Sequence, residues 1–267
     1  PVRSMTLIPE ELMYEPYLAS PTTPRLKLGR ITVDDARIPE TGETRWELKA
    51  GRTVGLFRFN GVSQINVLGG FMASFDVEQS TDSIAWDGLF GAQYVRRLDS
   101  WNRVRVEYFH QSAHRGDEFL LRTGRGRIDY TRQELNVGFS CYWRPRLRTY
   151  AELGWGFTLR NPDLQEAARL QAGFEYFLPD DESGNRATSG WFLAGDFESY
   201  QENDSRLDST VSLGLFGLND RELWRLGLEV RNGRVPYGEF FRSEEFGETV
   251  EWGRDVLADR PRHVFLA

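Results

Sequence analysis

Lysine is almost missing from this chain. Lys27 and Lys49 are the only two among 33 basic residues, so arginine carries nearly all the positive charge. Cysteine is down to Cys141, which excludes an internal disulfide and leaves the redox compartment unmarked. No apolar run approaches the ~20 residues a membrane helix needs, and the mean hydropathy is -0.52. A helical membrane protein is thereby excluded. A membrane β-barrel is not, because its polar, lumen-facing half lowers the average. The net charge of -7 argues against nucleic acid as the main partner. No phosphate loop, Cys/His metal spacing or nucleotide fingerprint occurs. The sequence opens at Pro1 without Met or a signal-like apolar stretch, which reads as a mature chain whose targeting peptide has been removed.

What the chain has in quantity is aromatic residues (13%), 26 glycines and period-two alternation. The clearest run is Trp101 to Ser112, where Val104, Val106, Tyr108, His110 and Ser112 share one face and Arg103, Arg105, Glu107 and Gln111 the other. Nine further segments alternate in the same way. They lie within Glu47–Phe59, Phe71–Val77, Ile84–Arg97, Arg132–Trp143, Ala151–Arg160, Arg169–Tyr176, Trp191–Glu198, Thr210–Leu215 and Trp224–Arg231. Adjacent Leu56 and Phe57 mark a bulge in the first of these. Arg25–Val33 is an eleventh candidate and Arg262–Ala267 would begin a twelfth. That last segment is shorter than the ~9–11 residues needed to span. Either the true C-terminus lies beyond Ala267 or the count is wrong. No long amphipathic helix appears; Asn161 to Leu170 reads as a short helical loop.

Alternation alone does not say which face is wet. A soluble sandwich hides its apolar face, whereas a membrane barrel turns that face outward. The polar faces carry opposite charges on neighbouring strands, such as Arg103, Arg105 and Glu107 beside Arg132 and Glu134, and they are dotted with glycine. This composition suits a narrow lumen filled by paired charges, since the planar guanidinium satisfies several partners at once. Short turns (Leu98–Ser100, Arg144–Arg146) alternate with longer excursions (Ala113–Arg127, Gly233–Arg262), the habit of membrane barrels. Trp86, Trp101, Trp143, Trp191 and Trp224 near strand ends fit interface girdles. The expected fold is all-β: a single antiparallel transmembrane β-barrel of about twelve strands with a charged lumen, one domain over residues 1–267 with 1–24 as an N-terminal extension. The alternative is a soluble β-sandwich that binds carbohydrate.

By the parity of Val104 and Val106, His110 and Ser112 point to the apolar face just before a long loop. A polar pair there is costly unless it sits at an interface or has a purpose. His110-Gln111-Ser112 resembles the His-x-Ser pair of outer-membrane phospholipase A and of PagL-type lipid A deacylases. That resemblance implies Ser112 as nucleophile, His110 as general base and an orienting residue on the next strand. Outward parity on that strand nominates Asp129 first and Gln133 second. The pattern departs after Ser112, where Ala113-His114-Arg115 stands in place of the phospholipase Asn-Gly-Arg, and the family spacing for the third residue falls on Gly124. Asp117 and Glu118 are candidate oxygen ligands for Ca²⁺. The implied partners are membrane lipids, phospholipid or lipopolysaccharide.

Residues Pro9 to Pro21, the block from His110 to Glu118 and the run Asp129 to Leu135 resemble a family of bacterial outer-membrane barrel proteins of unknown function. That resemblance implies an outer-membrane location and no established activity. Two functions follow as expectations: a lipid esterase of the outer leaflet, or a non-enzymatic structural or adhesive barrel or narrow channel.

Overall fold

Strands that alternate apolar and polar residues bury one face only, and closing the sheet on itself removes both edges. The computed structural model describes residues 4–34, 38–144, 146–179, 189–218 and 222–256. Its strands are β1 (Met5–Leu7), β2 (Leu26–Val33), β3 (Thr44–Phe59), β4 (Ser63–Asp76), β5 (Asp82–Arg97), β6 (Asn102–Arg115), β7 (Thr131–Arg144), β8 (Leu147–Leu159), β9 (Ala168–Pro179), β10 (Ser189–Tyr200), β11 (Leu207–Leu218), β12 (Glu222–Arg234) and β13 (Glu244–Val256). Each of β2 to β13 pairs antiparallel with its neighbour in sequence, and β13 pairs back onto β2. The result is a closed twelve-strand barrel, to which the three-residue β1 is added on the end of β3.

The barrel has the inverted polarity of a membrane protein. Leu153, Trp155 and Phe157 on β8 are each more than half exposed, while Arg148 and Glu152 of the same strand are almost fully buried. The soluble-sandwich alternative falls on this point, because its apolar face would be the hidden one. The expected bulge is present as a register shift between Gly55 and Phe57.

Two readings change. The twelfth strand is Glu244–Val256, not Arg262–Ala267, which lies outside the described residues. The stretch from Gly233 to Arg262 is therefore not one long excursion. Residues 235–243 form the loop, and β13 follows, its apolar positions (Phe246, Val250, Trp252) spaced by charges and glycine. The segment Asn161 to Leu170 makes a single turn, with Leu164 and Gln165 N–H donating to the Asn161 carbonyl, and then enters β9. Among the described residues a single α-helix, α1 (Asp117–Thr123), occurs, in the loop between β6 and β7.

The lumen is filled from both ends. Residues 9–24 fold up inside from the short-turn end. Tyr17 stacks on Tyr150 with centroids 3.8 Å apart, its hydroxyl donates to Glu152 at 3.0 Å, and Leu18 N–H donates to Glu175 at 2.9 Å. Lys49 Nζ donates to the Pro21 carbonyl at 2.6 Å. At the long-loop end the loop 235–243 dips inward and buries Val235, Tyr237, Phe240 and Phe241. The wall supplies a charge network. Lys27 lies 3.2, 2.8 and 2.9 Å from Glu47, Glu229 and Glu251, and Arg169 lies 2.7 and 2.6 Å from Glu134 and Glu152. Arg103, Arg105, Glu107, Arg132 and Glu134, all expected in the lumen, are buried there. A cavity of about 40 Å³ is left against Tyr17 and Thr22 of the plug, room for a few waters.

Candidate active site

β6 runs 14 residues, long enough to carry its alternation unbroken into the long-loop end. Gln111 and Ala113 are buried in the lumen, while His110, Ser112 and His114 lie on the outer face. The expected outward placement of the pair therefore holds. Spaced two apart on a strand, His110 and Ser112 lie roughly 6–7 Å apart at Cα.

The sheet register supplies the neighbours. His110 stands between Phe90 of β5 and Gln133 of β7, and Ser112 between Gly88 and Thr131. The His110 imidazole stacks on the Phe90 ring at 4.2 Å, tilted by 22°. His114 stacks in the same way on Trp86 at 4.1 Å. These contacts fix the imidazole planes and shield one face of each. His110 Nδ1 is buried and has no hydrogen-bond partner among the described residues. A Cβ added at Gly88 would come within 3.4 Å of Ser112 Oγ, so glycine at that position keeps one side of the hydroxyl uncovered.

The two nominated third residues part company here. Asp129 lies before the start of β7 with a left-handed φ of 59°. Its carboxylate lies 3.5 Å from Arg160, both side chains more than half exposed, and its N–H donates to Glu239. Gln133 is the direct cross-strand partner of His110. Gln133 lies on the outer face as its parity implies, but the strand begins at Thr131, so Asp129 belongs to the loop and strand parity does not place it. Gly88 and Phe90 had no sequence signal tying them to the pair; only the register brings them alongside.

Asp117 and Glu118 occupy the first turn of α1. The Asp117 carboxylate accepts from Arg127 at 2.8 Å and is 82% exposed. Adjacent helical positions project about 100° apart, and among the described residues no group of three or more His, Cys, Asp or Glu side chains could hold a metal ion. This pair, as arranged, does not fit a calcium site.

A closed antiparallel barrel, apolar outside, ionic within and carrying a His/Ser pair on its outer face, is an outer-membrane-type β-barrel. The chain belongs to the family described as "Protein of unknown function (DUF1207)", whose model matches residues 3–250. Among solved structures it is similar to outer membrane phospholipase A from Escherichia coli, with 12% identity, a TM-score of 0.61 and coverage of 88% of this chain and 93% of that one. It is also similar to the Salmonella typhi outer membrane phospholipase dimer with bound calcium, with 11% identity, a TM-score of 0.63 and coverage of 92% and 94%. At such identities the likeness is one of fold. A Haloquadratum walsbyi protein named "Putative heme-binding protein" is 39% identical over 122 residues, covering 39% of this chain and 23% of that protein. The chain thus spans under a quarter of that relative, and 6% of the Halobacterium salinarum protein of the same description. Neither described histidine faces the lumen, and His263 lies outside the described residues.

Proposed function

We propose that this protein is a lipid acyl hydrolase of the bacterial outer membrane, acting on phospholipid or lipopolysaccharide in the leaflet at the long-loop end. The observation that carries the reading is the outward pair His110 and Ser112, with Gln133 directly across from an imidazole whose buried Nδ1 has no hydrogen-bond partner among the described residues. In this reading Ser112 Oγ attacks the ester carbonyl while His110 Nε2 takes its proton. The C–O bond to the glycerol or sugar oxygen then breaks, and that oxygen leaves with the proton from His110. Water, deprotonated by the same imidazole, releases the fatty acid and restores the serine. Gln133 is the positioning residue of this reading: a side-chain rotation would let its amide oxygen accept from the unpartnered Nδ1–H and so present Nε2 to the serine. Ser112, His110 and water balance the step.

The test is fatty-acid release by the purified barrel in detergent, on phosphatidylethanolamine and on lipopolysaccharide. Ser112→Ala is expected to lower release by at least a hundredfold. Gln133→Ala is expected to lower kcat roughly tenfold and to move the pH profile, which a merely structural role would not do. Release by Ser112→Ala equal to wild type would end the hydrolase reading.

The channel expectation finds little support in a lumen filled from both ends. A non-enzymatic, plugged barrel is the reading left if Ser112→Ala proves silent.

A further inference from the structure

The barrel wall has a gap. β2 pairs with β3 from Thr32↔Thr44 to Lys27↔Lys49, and β1 pairs with β3 from Leu7↔Phe57 to Met5↔Phe59. Between these two stretches β3 pairs with β4 on one side, and no described strand pairs with it on the other. β1 and β2 are in effect one strand interrupted by residues 8–25, which turn into the lumen. Where the missing strand would lie there is a cavity of about 240 Å³, several times the ~30 Å³ share of one water molecule. In a bilayer, an unpaired strand edge facing lipid leaves backbone polar groups without partners, so such a gap is tolerated only where something polar fills it.

Arginine lines the gap. Arg254, on the β13 rim near the short-turn end, is ion-paired with Glu222 and lies over Trp224. Asp255 is taken up by Arg225 at 2.7 Å. At the back, Arg25 is 3% exposed and gives its terminal nitrogens to the carbonyls of Tyr17, Leu18 and Ser20. Its Nε is buried without a partner. On the β3 rim, Arg52 shares the outward parity of Trp46, Leu48 and Val54. It has no hydrogen-bond or ion-pair partner among the described residues. An unpaired arginine on a lipid-facing strand is destabilising by an amount that grows with depth in the bilayer, and a phosphate is the anion whose geometry guanidinium matches.

We propose that this lateral gap binds the phosphate-bearing headgroup of a phospholipid from the leaflet at the short-turn end. Arg52 is the charged contact at the mouth, and the cavity behind it takes the headgroup. The bound lipid covers the open edge of β3 from Ala50 to Gly55. The site lies on strands β2, β3 and β13, away from Ser112, and stands whether or not the protein hydrolyses lipid.

The experiment is native mass spectrometry of the full chain in detergent, titrated with phosphatidylglycerol, diacylglycerol and inorganic phosphate. Wild type is expected to retain one phosphatidylglycerol. Arg52→Gln is expected to bind about tenfold more weakly with unchanged heat-modifiable migration, and Arg52→Lys to keep at least half the occupancy. Diacylglycerol bound as well as phosphatidylglycerol would overturn the proposal. So would inorganic phosphate competing at equal concentration, or undiminished retention by Arg52→Gln. If Arg52→Gln does not fold, wild type is labelled with photoactivatable phosphatidylglycerol. Cross-links concentrated in residues 50–55 support the site, and labelling spread over the outer face overturns it.

Discussion

At the scale of single residues, the lumen works by pairing. Lys27 sits within 3.2 Å of three carboxylates, all of them buried. Desolvating four such groups is offset only while the cation is present. Lys27→Met therefore leaves Glu47, Glu229 and Glu251 in mutual repulsion and is expected to cost about 3–5 kcal/mol. The readout is a lowered temperature for the shift from the folded to the unfolded gel band; a shift no different from wild type would contradict the pairing account. Glu239 acts similarly at the long-loop end, accepting from the N–H groups of Ile128, Asp129 and Tyr130 and pairing with Arg115 at 3.1 Å. It ties the loop 235–243 to the strap before β7. Gly238 belongs to the same latch, since a Cβ there would fall within 2.2 Å of the Tyr130 ring.

Tyr130 gives this latch a pH dependence. Burial pushes its phenol up to about 12, and its hydroxyl is buried without a partner. The fold favours the neutral form. The stabilisation from this group is thus complete below the unfolded tyrosine value of about 10 and is lost as pH rises through 10 towards 12. Tyr130→Phe is expected to make unfolding of the long-loop end less steep over that window, measured by tryptophan fluorescence between pH 9 and 12. Identical alkaline profiles for variant and wild type would count against it.

At the scale of elements, the segment 9–24 decides whether the barrel is a tube or a rod. Wall residues hold it largely through its backbone: Arg148 donates to the Glu15 and Pro16 carbonyls, Lys49 to that of Pro21, and Gln64 accepts from Met13 N–H. Such contacts specify a path for the chain more than a set of side chains. Replacing residues 9–24 by a short extended linker is expected to join β1 to β2 along β3 and to leave the wall closed and the lumen partly empty. Planar-bilayer recordings should then show conductance steps that wild type lacks. A silent variant that still migrates as a folded barrel would mean that the loop 235–243 seals the lumen unaided.

At the scale of the whole molecule, the outer face determines how the protein meets its surroundings. Exposed Trp, Phe, Leu and Val around the barrel strands are compatible with lipid and not with water. The unheated sample is expected to resist SDS and migrate apart from the boiled one. Co-migration, with solubility in the absence of detergent, would contradict the membrane reading.

The sequence by itself determined eleven of the twelve barrel strands, the inward charges and the outward His110 and Ser112, because period-two alternation is a local property that survives any closure of the sheet. It also located the bulge near Leu56. It misread the twelfth strand, since β13 is rich in glutamate and glycine and its alternation is shallow beside that of β6. Only the tertiary structure decided which residues stand opposite each other. Register put Gln133, and not Asp129, beside His110, and put Gly88 beside Ser112, because pairing depends on where each strand starts and no single strand carries that information. Closure likewise turned residues 9–24 from an extension into a plug, and left the gap at Arg52 that no local pattern announces.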